Sequence, residues 1–398
     1  MSDWLWLLLP VAAASGFWMA KREASPGKAW SPEGRGPLDF QLDQPDHTVA
    51  ATIANFSIAP DTADSYITLG KVFRQRGELN WAIHLHRHLS TLSQLSVDQR
   101  HAALVELGED YLSAGLLDRA EAVFRQFSPT HRQQRCGVTA LERLMVIAEQ
   151  QQDWPQALDG GERLLGLGVR RVAKPVAHYH CELADGALAR GEPDVAHHHL
   201  QRALRRDERC VRASLTLGEL ALAKGDPTQA VAVLQRVEYQ DSRFMPLALA
   251  PLIQGYTALY RRAELLEYLR GLQRRHPAGT TMMACAELMA EDGQRDLAVA
   301  WLESELRHRP SSLALRYLLQ LRLVNDQGHP HPEWATCHAI VMDTLPRGIP
   351  YVCDHCGFEL PHLQWRCGRC GAWGGLVPRE DATSPARVSR TPEVATEF

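Results

Sequence analysis

Charge of one sign is in short supply. Forty-three Lys and Arg stand against 47 Asp and Glu in 398 residues, a formal net charge of −4. A bulk nucleic-acid binder would carry a basic excess, so that class is excluded as the main role. No Gly-rich loop of the P-loop or dinucleotide type occurs, and no nucleophile sits in the context of a Ser-His-Asp or Cys-His set. Neither nucleotide chemistry nor nucleophilic hydrolysis is indicated. Hydrophobic residues at 45% and charged residues at 23% exclude a mainly disordered or collagen-like chain. A mean hydropathy of −0.27 excludes a polytopic membrane protein, although one span can hide in that average. Nine cysteines, four of them within 18 residues near the end, are too unevenly placed for a secreted disulfide scaffold. A reduced compartment and a metal site fit them better. The length suits two or three domains or one long repeat array.

The first feature present is a run of 17 uncharged residues, Trp4 to Ala20. As a helix it would cover roughly 25 Å, slightly short of a hydrocarbon core of about 30 Å. Trp4, Trp6 and Trp18 lie near its ends, where indoles favour the membrane interface. A cleaved signal peptide is the competing reading, with Ala12 to Ala14 as small residues for cleavage. It would need a basic region first, yet only Met1, Ser2 and Asp3 precede the run, and Lys21 and Arg22 follow it. The expectation is an uncleaved anchor over 1–22, N-terminus out, with everything beyond it in the cytoplasm. Residues 23–37, rich in Pro, Gly, Ser and charge, read as a linker.

The middle is periodic. A Gly followed five positions later by Ala recurs as Gly77/Ala82, Gly115/Ala120, Gly191/Ala196, Gly225/Ala230 and Gly293/Ala298, and Ala157 and Leu265 fall where missing members belong. The successive intervals are 38, 37, 39, 34, 35 and 33 residues. That is the period of a helix-turn-helix unit of the tetratricopeptide type. The Gly closes the first helix in a left-handed conformation, and the Ala lets the second helix pack closely. Small and aromatic residues one turn apart, Gly70 with Phe73 and Gly108 with Tyr111, mark first helices, and Leu217-Gly218 opens a later repeat similarly. The expectation is an all-α solenoid over 38–310 with a degenerate first repeat at 38–60, then a helical cap over 311–348. First helices line the groove of such an array, which makes Lys71, Arg74, Glu109, Glu182, Asp185, Arg212 and Glu219 candidate protein-binding residues.

His84 and His88 share a helix face, and His197 to His199 run consecutively, but the glutamate that a zinc-protease helix needs is replaced by Leu85. These histidines, His86 among them, read as surface or groove-facing. Cys136, Cys181, Cys210, Cys285 and Cys337 read as small buried thiols in helical segments.

Near the end, Cys353-Asp-His-Cys356-Gly357 and Cys367-Gly-Arg-Cys370-Gly371 form two Cys-x-x-Cys-Gly knuckles. Each presents two thiolates, and four thiolates suit one tetrahedral ion, either Zn²⁺ or a single iron. All four positions are then filled by protein, which leaves no open site for hydrolysis. Residues 349–378 are the expected metal domain, with Tyr351, Phe358, Trp365 and Trp373 packed around the site, and 379–398 an expected disordered tail.

The order of anchor, repeats and tetracysteine knuckle resembles the lipopolysaccharide assembly protein B family of Gram-negative inner membranes. The resemblance rests on residues 7–22, 69–86, 107–124, 178–184 and 351–373, and covers the chain to about residue 378. It departs in the Pro- and Gly-rich segment 23–46, in a second knuckle lacking the common Pro, and in the tail. The resemblance implies a non-enzymatic inner-membrane scaffold that regulates lipopolysaccharide synthesis. It would promote turnover of the lipid A deacetylase LpxC by the membrane protease FtsH and gather other lipopolysaccharide synthesis and transport proteins. It also implies rubredoxin-like iron on Cys353, Cys356, Cys367 and Cys370, with zinc still open, and no nucleic-acid partner. Self-association into a homodimer stays open. Two other readings share the architecture: a tethered electron-transfer protein, and a general envelope-assembly chaperone.

Overall fold

A computed structural model describes residues 46–127, 135–323, 332–344 and 351–379. The anchor expected at 1–22, the linker at 23–37 and the tail from 380 lie outside these residues. Among the described residues no helix is long and apolar enough to cross a membrane. The chain divides at residue 113 into two compact units.

The first unit holds α1 (Asp46–Ala54), α2 (Ala63–Gln75), α3 (Leu79–Thr91) and α4 (Val97–Ser113). Helix α1 falls in the expected degenerate repeat, and its Val49 and Ile53 share a core with Ile67, Leu85 and Leu89. A buried polar pair, His86 and Asp110, is built into this unit. His86 is fully buried, with Nδ1 2.5 Å from Asp110 and Nε2 3.1 Å from the Ile67 carbonyl. Its ring lies over Gly70, where an added Cβ would come within 2.3 Å of Nε2. The glycine of the Leu-Gly pair is thus required by a buried imidazole. This corrects the surface or groove-facing expectation for His86. The alternation around it let a short helix face hide one histidine while His84 and His88 stay partly exposed.

The second unit opens with α5 (Leu117–Phe124) and continues through hairpins α6/α7 (Arg135–Gln150, Trp154–Gly166), α8/α9 (Ala173–Ala189, Pro193–Arg206), α10/α11 (Val211–Ala223, Pro227–Asp241), α12/α13 (Met245–Ala258, Arg262–Arg275) and α14/α15 (Gly279–Glu291, Arg295–His308). Helix α16 (Ser312–Leu323) shares a core with α14 and α15 through Met282, Leu302 and Leu318, and Arg322 lies over the ring of Trp334 on α17 (Pro332–Thr344).

The turns explain the period. All seven phased positions have positive φ: the five glycines at 73 to 83°, and Gln152 and Tyr260 at 58° and 56°. The two degenerate members therefore keep the geometry without the residue. The next N–H reaches back five residues, from Glu78 to Phe73, Asp153 to Ala148, Asp226 to Ala221 and Arg261 to Tyr256, at 2.9 to 3.0 Å. Asp153 and Asp226 then cap the following helices by accepting from Gln156 and Gln229 N–H. Ala82, Ala120, Ala157, Ala196, Ala230 and Ala298 are all fully buried, and Leu265 is 1% exposed. A Cβ on Gly218 would meet Leu234 at 2.4 Å, which shows how closely α10 and α11 approach.

The other thiols divide. Cys181, Cys210 and Cys285 are buried as expected, but Cys210 precedes α10 rather than lying within a helix, Cys136 is only half-buried at the start of α6, and Cys337 is exposed on α17.

Left-handed backbone costs an L side chain about 1–2 kcal/mol, offset in part by glycine's own flexibility. Tyr260→Gly should therefore stabilise the second unit by about 0.5–1 kcal/mol. Gly225→Ala, in open space, should destabilise it by about 1 kcal/mol in denaturant melts. A neutral or reversed pair of effects would show that the turns are set by something other than this backbone preference.

Candidate metal centre and its docking face

The knuckle domain is a three-stranded antiparallel sheet of β1 (Tyr351–Cys353), β2 (Glu359–Leu360) and β3 (Leu376–Pro378) in the order β2-β1-β3. The register pairs Tyr351 with Leu360 and Cys353 with Leu376. Each knuckle closes in the same way. Gly357 N–H donates to the Cys353 carbonyl at 2.8 Å, and Gly371 N–H to the Cys367 carbonyl at 2.9 Å. Both glycines have left-handed backbone, φ 69° and 72°. The turn aims backbone N–H groups of His355 and Cys356 at the Cys353 sulfur, of Phe358 at Cys356, and of Arg369 and Cys370 at Cys367. Such donors favour thiolate over thiol.

All four sulfurs lie within 4.8 Å of one another. Cys353 and Cys370 are 3.7 Å apart, as are Cys356 and Cys367. A tetrahedral ion with metal–sulfur bonds of about 2.3 Å has sulfur–sulfur edges of roughly 3.8 Å. The donors therefore fit one tetrahedral ion, and iron and zinc both accept such a set. A sheet of eight strand residues has almost no core of its own: Cys353, Cys367 and Leu376, with Tyr351, Phe358 and Leu360 against them. When bound, the metal supplies the folding free energy that this core lacks.

Two aromatics expected around the metal do something else. Trp373 and Trp365 leave the knuckle and pack into the helical array. Trp373 is 6% exposed in a cluster with Leu141, Met145, Tyr179 and Trp154. His178 stacks on it at 5.0 Å and 21°. Its indole N–H donates to Glu149 Oε1 at 2.8 Å, while Tyr179 O–H donates to Oε2 at 3.1 Å and Arg366 pairs with the same carboxylate. Trp365 stacks on Phe244 at 5.7 Å, with the Arg212 guanidinium 5.9 Å from its ring centroid. At the edge, Arg243 pairs with Asp354 at 3.3 Å. Burying an indole as fully as that of Trp373 removes about 150–250 Å² from water, on the order of 4 kcal/mol, and the partly buried Trp365 contributes less. The knuckle is thus held on the array by two aromatic plugs and one buried carboxylate. His178, under the plug, is held neutral, since burial and then the Arg212 and Lys174 charges push its pKa down to about 3.

The groove candidates fall into separate groups. In the first unit, Lys71 and Arg74 both pair with Glu106, and Arg74 also reaches Asp110. Glu109 lies on α4, one residue before Asp110. In the second unit, Arg212 is buried and bonds Glu182 at 2.7 Å and Asp185 at 2.6 Å. His178, Glu182 and Asp185 are spaced i, i+4, i+7 on α8, so this network continues the face on which the knuckle docks. Glu219 is exposed and lines a cavity of about 360 Å³ with Pro251 and Gln254. Glu149 was missed from sequence. Its register position is Leu112, Leu188, Leu222 and Ala290 in four repeats but Arg74 and Thr257 in the other two, so a charge there gave no signal by itself.

Removing one partner of a buried charge costs about 3–5 kcal/mol, and here the carboxylate holds three groups. Glu149→Ala should free the knuckle. Proteolysis on either side of residue 351 would rise at least tenfold and tryptophan emission would shift to the red, with helix content and bound metal retained. Unchanged protection of the knuckle would show that Glu149 does not hold it.

Comparison with known proteins agrees with these parts. A rubredoxin metal binding domain matches residues 351–378, and a tetratricopeptide repeat matches 181–243. Lipopolysaccharide assembly protein B of Escherichia coli K12 is 31% identical over 386 residues, covering 95% of this chain and 98% of its own. The protein of the same name from Haemophilus influenzae Rd is 27% identical over 396 residues, at the same coverage of both chains. With its helical repeats and four-cysteine knuckle aligned almost end to end with these relatives, the chain belongs to the lipopolysaccharide assembly protein B family.

Proposed function

We propose that this protein is a non-enzymatic scaffold, anchored in the inner membrane by residues 1–22, that regulates lipopolysaccharide biosynthesis. In this reading it presents the LpxC deacetylase to an FtsH-type membrane protease and gathers other lipopolysaccharide assembly proteins. The observation that carries the reading is the docking itself. Trp365 and Trp373 bury the knuckle on the face that bears Glu182, Asp185 and Arg212, so metal domain and repeats offer clients one continuous surface. The relatives' name supports the lipopolysaccharide assignment, and four thiolates that close the metal site support an adaptor over a catalyst. Groove contact through Lys71, Arg74, Glu109 and Glu219 belongs to the same proposal, as does iron as the metal.

One observation favours a second reading. Cys370 is exposed and Cys356 only partly buried, so one side of the site faces solvent, as an electron-transfer site requires. A reversible one-electron couple with a physiological reductase would support that reading, and colourless zinc-bound protein would oppose it.

Depleting the protein should raise the steady-state level of the deacetylase several-fold and raise lipopolysaccharide content with it, as read by immunoblot and lipid A quantitation. Restoring the full chain should reverse both. Unchanged deacetylase and lipopolysaccharide on depletion would contradict the regulatory reading.

A further inference from the structure

A cavity of about 430 Å³ opens where the turn before α8, the α9–α10 loop and the turn Ser242–Phe244 meet the knuckle. It is lined by five cations and three carboxylates, Asp207, Asp241 and Asp354, and so keeps a positive excess. Arg171 is committed to Glu142, and Arg243 to Asp241 and Asp354. The other three are not. The side chains of Arg170 and Arg209 form no salt bridge among the described residues, and Lys174 hydrogen-bonds only the Gly374 carbonyl, at 3.5 Å, with the Asp241 charge in range.

Two buried polar atoms in the same lining also lack partners: Nδ1 of His178, a side chain 3% exposed, and Oε1 of Gln240, whose amide nitrogen already donates to the Glu208 carbonyl at 2.7 Å. A buried polar atom left unmatched costs about 1–3 kcal/mol. The chemistry of these gaps is specific. Three uncommitted cations call for an anion carrying more than one charge. Gln240 Oε1 can only accept, so it calls for a hydroxyl or N–H donor. Hydrogen phosphate has a hydroxyl that can serve Gln240, but it is far smaller than a cavity of about 430 Å³, and a sugar fills the remaining space. A nucleobase would need an open aromatic face, and Phe244 and Trp365 are already stacked on each other. The volume lies within the range of small-ligand sites, about 300–1,000 Å³.

We propose that this cavity binds a phosphorylated sugar, with phosphate on Arg170, Lys174 and Arg209 and a sugar hydroxyl donating to Gln240. Bound there, the ligand spans the seam between array and knuckle, because Lys174 on α8 touches Gly374. The proposal stands on the cavity and does not depend on protease recruitment.

Calorimetry on full-length, metal-loaded protein in detergent tests it, with N-acetylglucosamine 1-phosphate, inorganic phosphate and N-acetylglucosamine as probes. The phosphosugar should bind one to one, at least tenfold more tightly than either part. Arg170→Gln and Arg209→Gln should each weaken it at least tenfold, with Arg209→Lys restoring most of the affinity. Gln240→Leu should reduce phosphosugar affinity to that of phosphate. Arg307→Gln, at an exposed site on α15, should change nothing. Nanodiscs carrying a monophosphorylated disaccharide lipid compete if the natural ligand is lipid-borne, and only soluble phosphosugars compete if it is free. Either pattern upholds the site. Equal affinity for phosphate and phosphosugar, equal loss in Arg307→Gln, competition by neither form, or no saturable binding overturns it.

Discussion

The insertion of Trp373 beside Glu149 is the interaction on which the second unit depends. The knuckle has only a few buried residues of its own and takes its stability from metal and from contact. The array in turn carries a carboxylate at 7% exposure that would be costly without the Trp373 N–H, the Tyr179 O–H and the Arg366 guanidinium. Each part supplies what the other lacks. A bound metal would hold the loops that carry Trp365 and Trp373, and the packing of these rings on the array fixes where the metal domain sits. A change at the cysteines would reach α6 and α8 through Trp373, which contacts Glu149 and His178 on those helices.

The repeat architecture makes such docking affordable in structural terms. Hairpins joined by the same left-handed turn stack with small residues between them, and first helices such as α8 and α10 present polar side chains away from that packing. Glu182, Asp185 and Arg212 use this freedom to form a compact charged network. The network lies next to Trp365 rather than in open solvent. Under the proposed function, the client-binding surface on this unit would include the edge of the metal domain.

Much of this was legible in the sequence, and the exceptions have physical reasons. The turn glycines announce themselves because only glycine takes φ near 75° without strain. Gln152 and Tyr260 were still placed correctly by the alanine and leucine that follow them, because the period constrains the pair. The cysteine spacing fixed the metal ligands, since two Cys-x-x-Cys-Gly knuckles have few other uses. Long-range partnerships were not legible. Trp373 lies 224 residues from Glu149, and nothing in the local pattern of either residue reports the other. His86 looked like one of three alternating surface histidines. Its burial depends on Asp110 and on the bare backbone at Gly70, which only the folded hairpins bring together.

The most direct test of the account is the half-life of the deacetylase in cells whose only copy of this protein carries Trp373→Ala. That variant keeps all four cysteines and removes one plug. The account predicts that it retains metal and repeats, loses the docked knuckle, and lengthens deacetylase half-life toward that of cells lacking the protein. A deacetylase half-life equal to wild type, with the knuckle shown by proteolysis to be undocked, would contradict the claim that metal domain and repeats act as one surface.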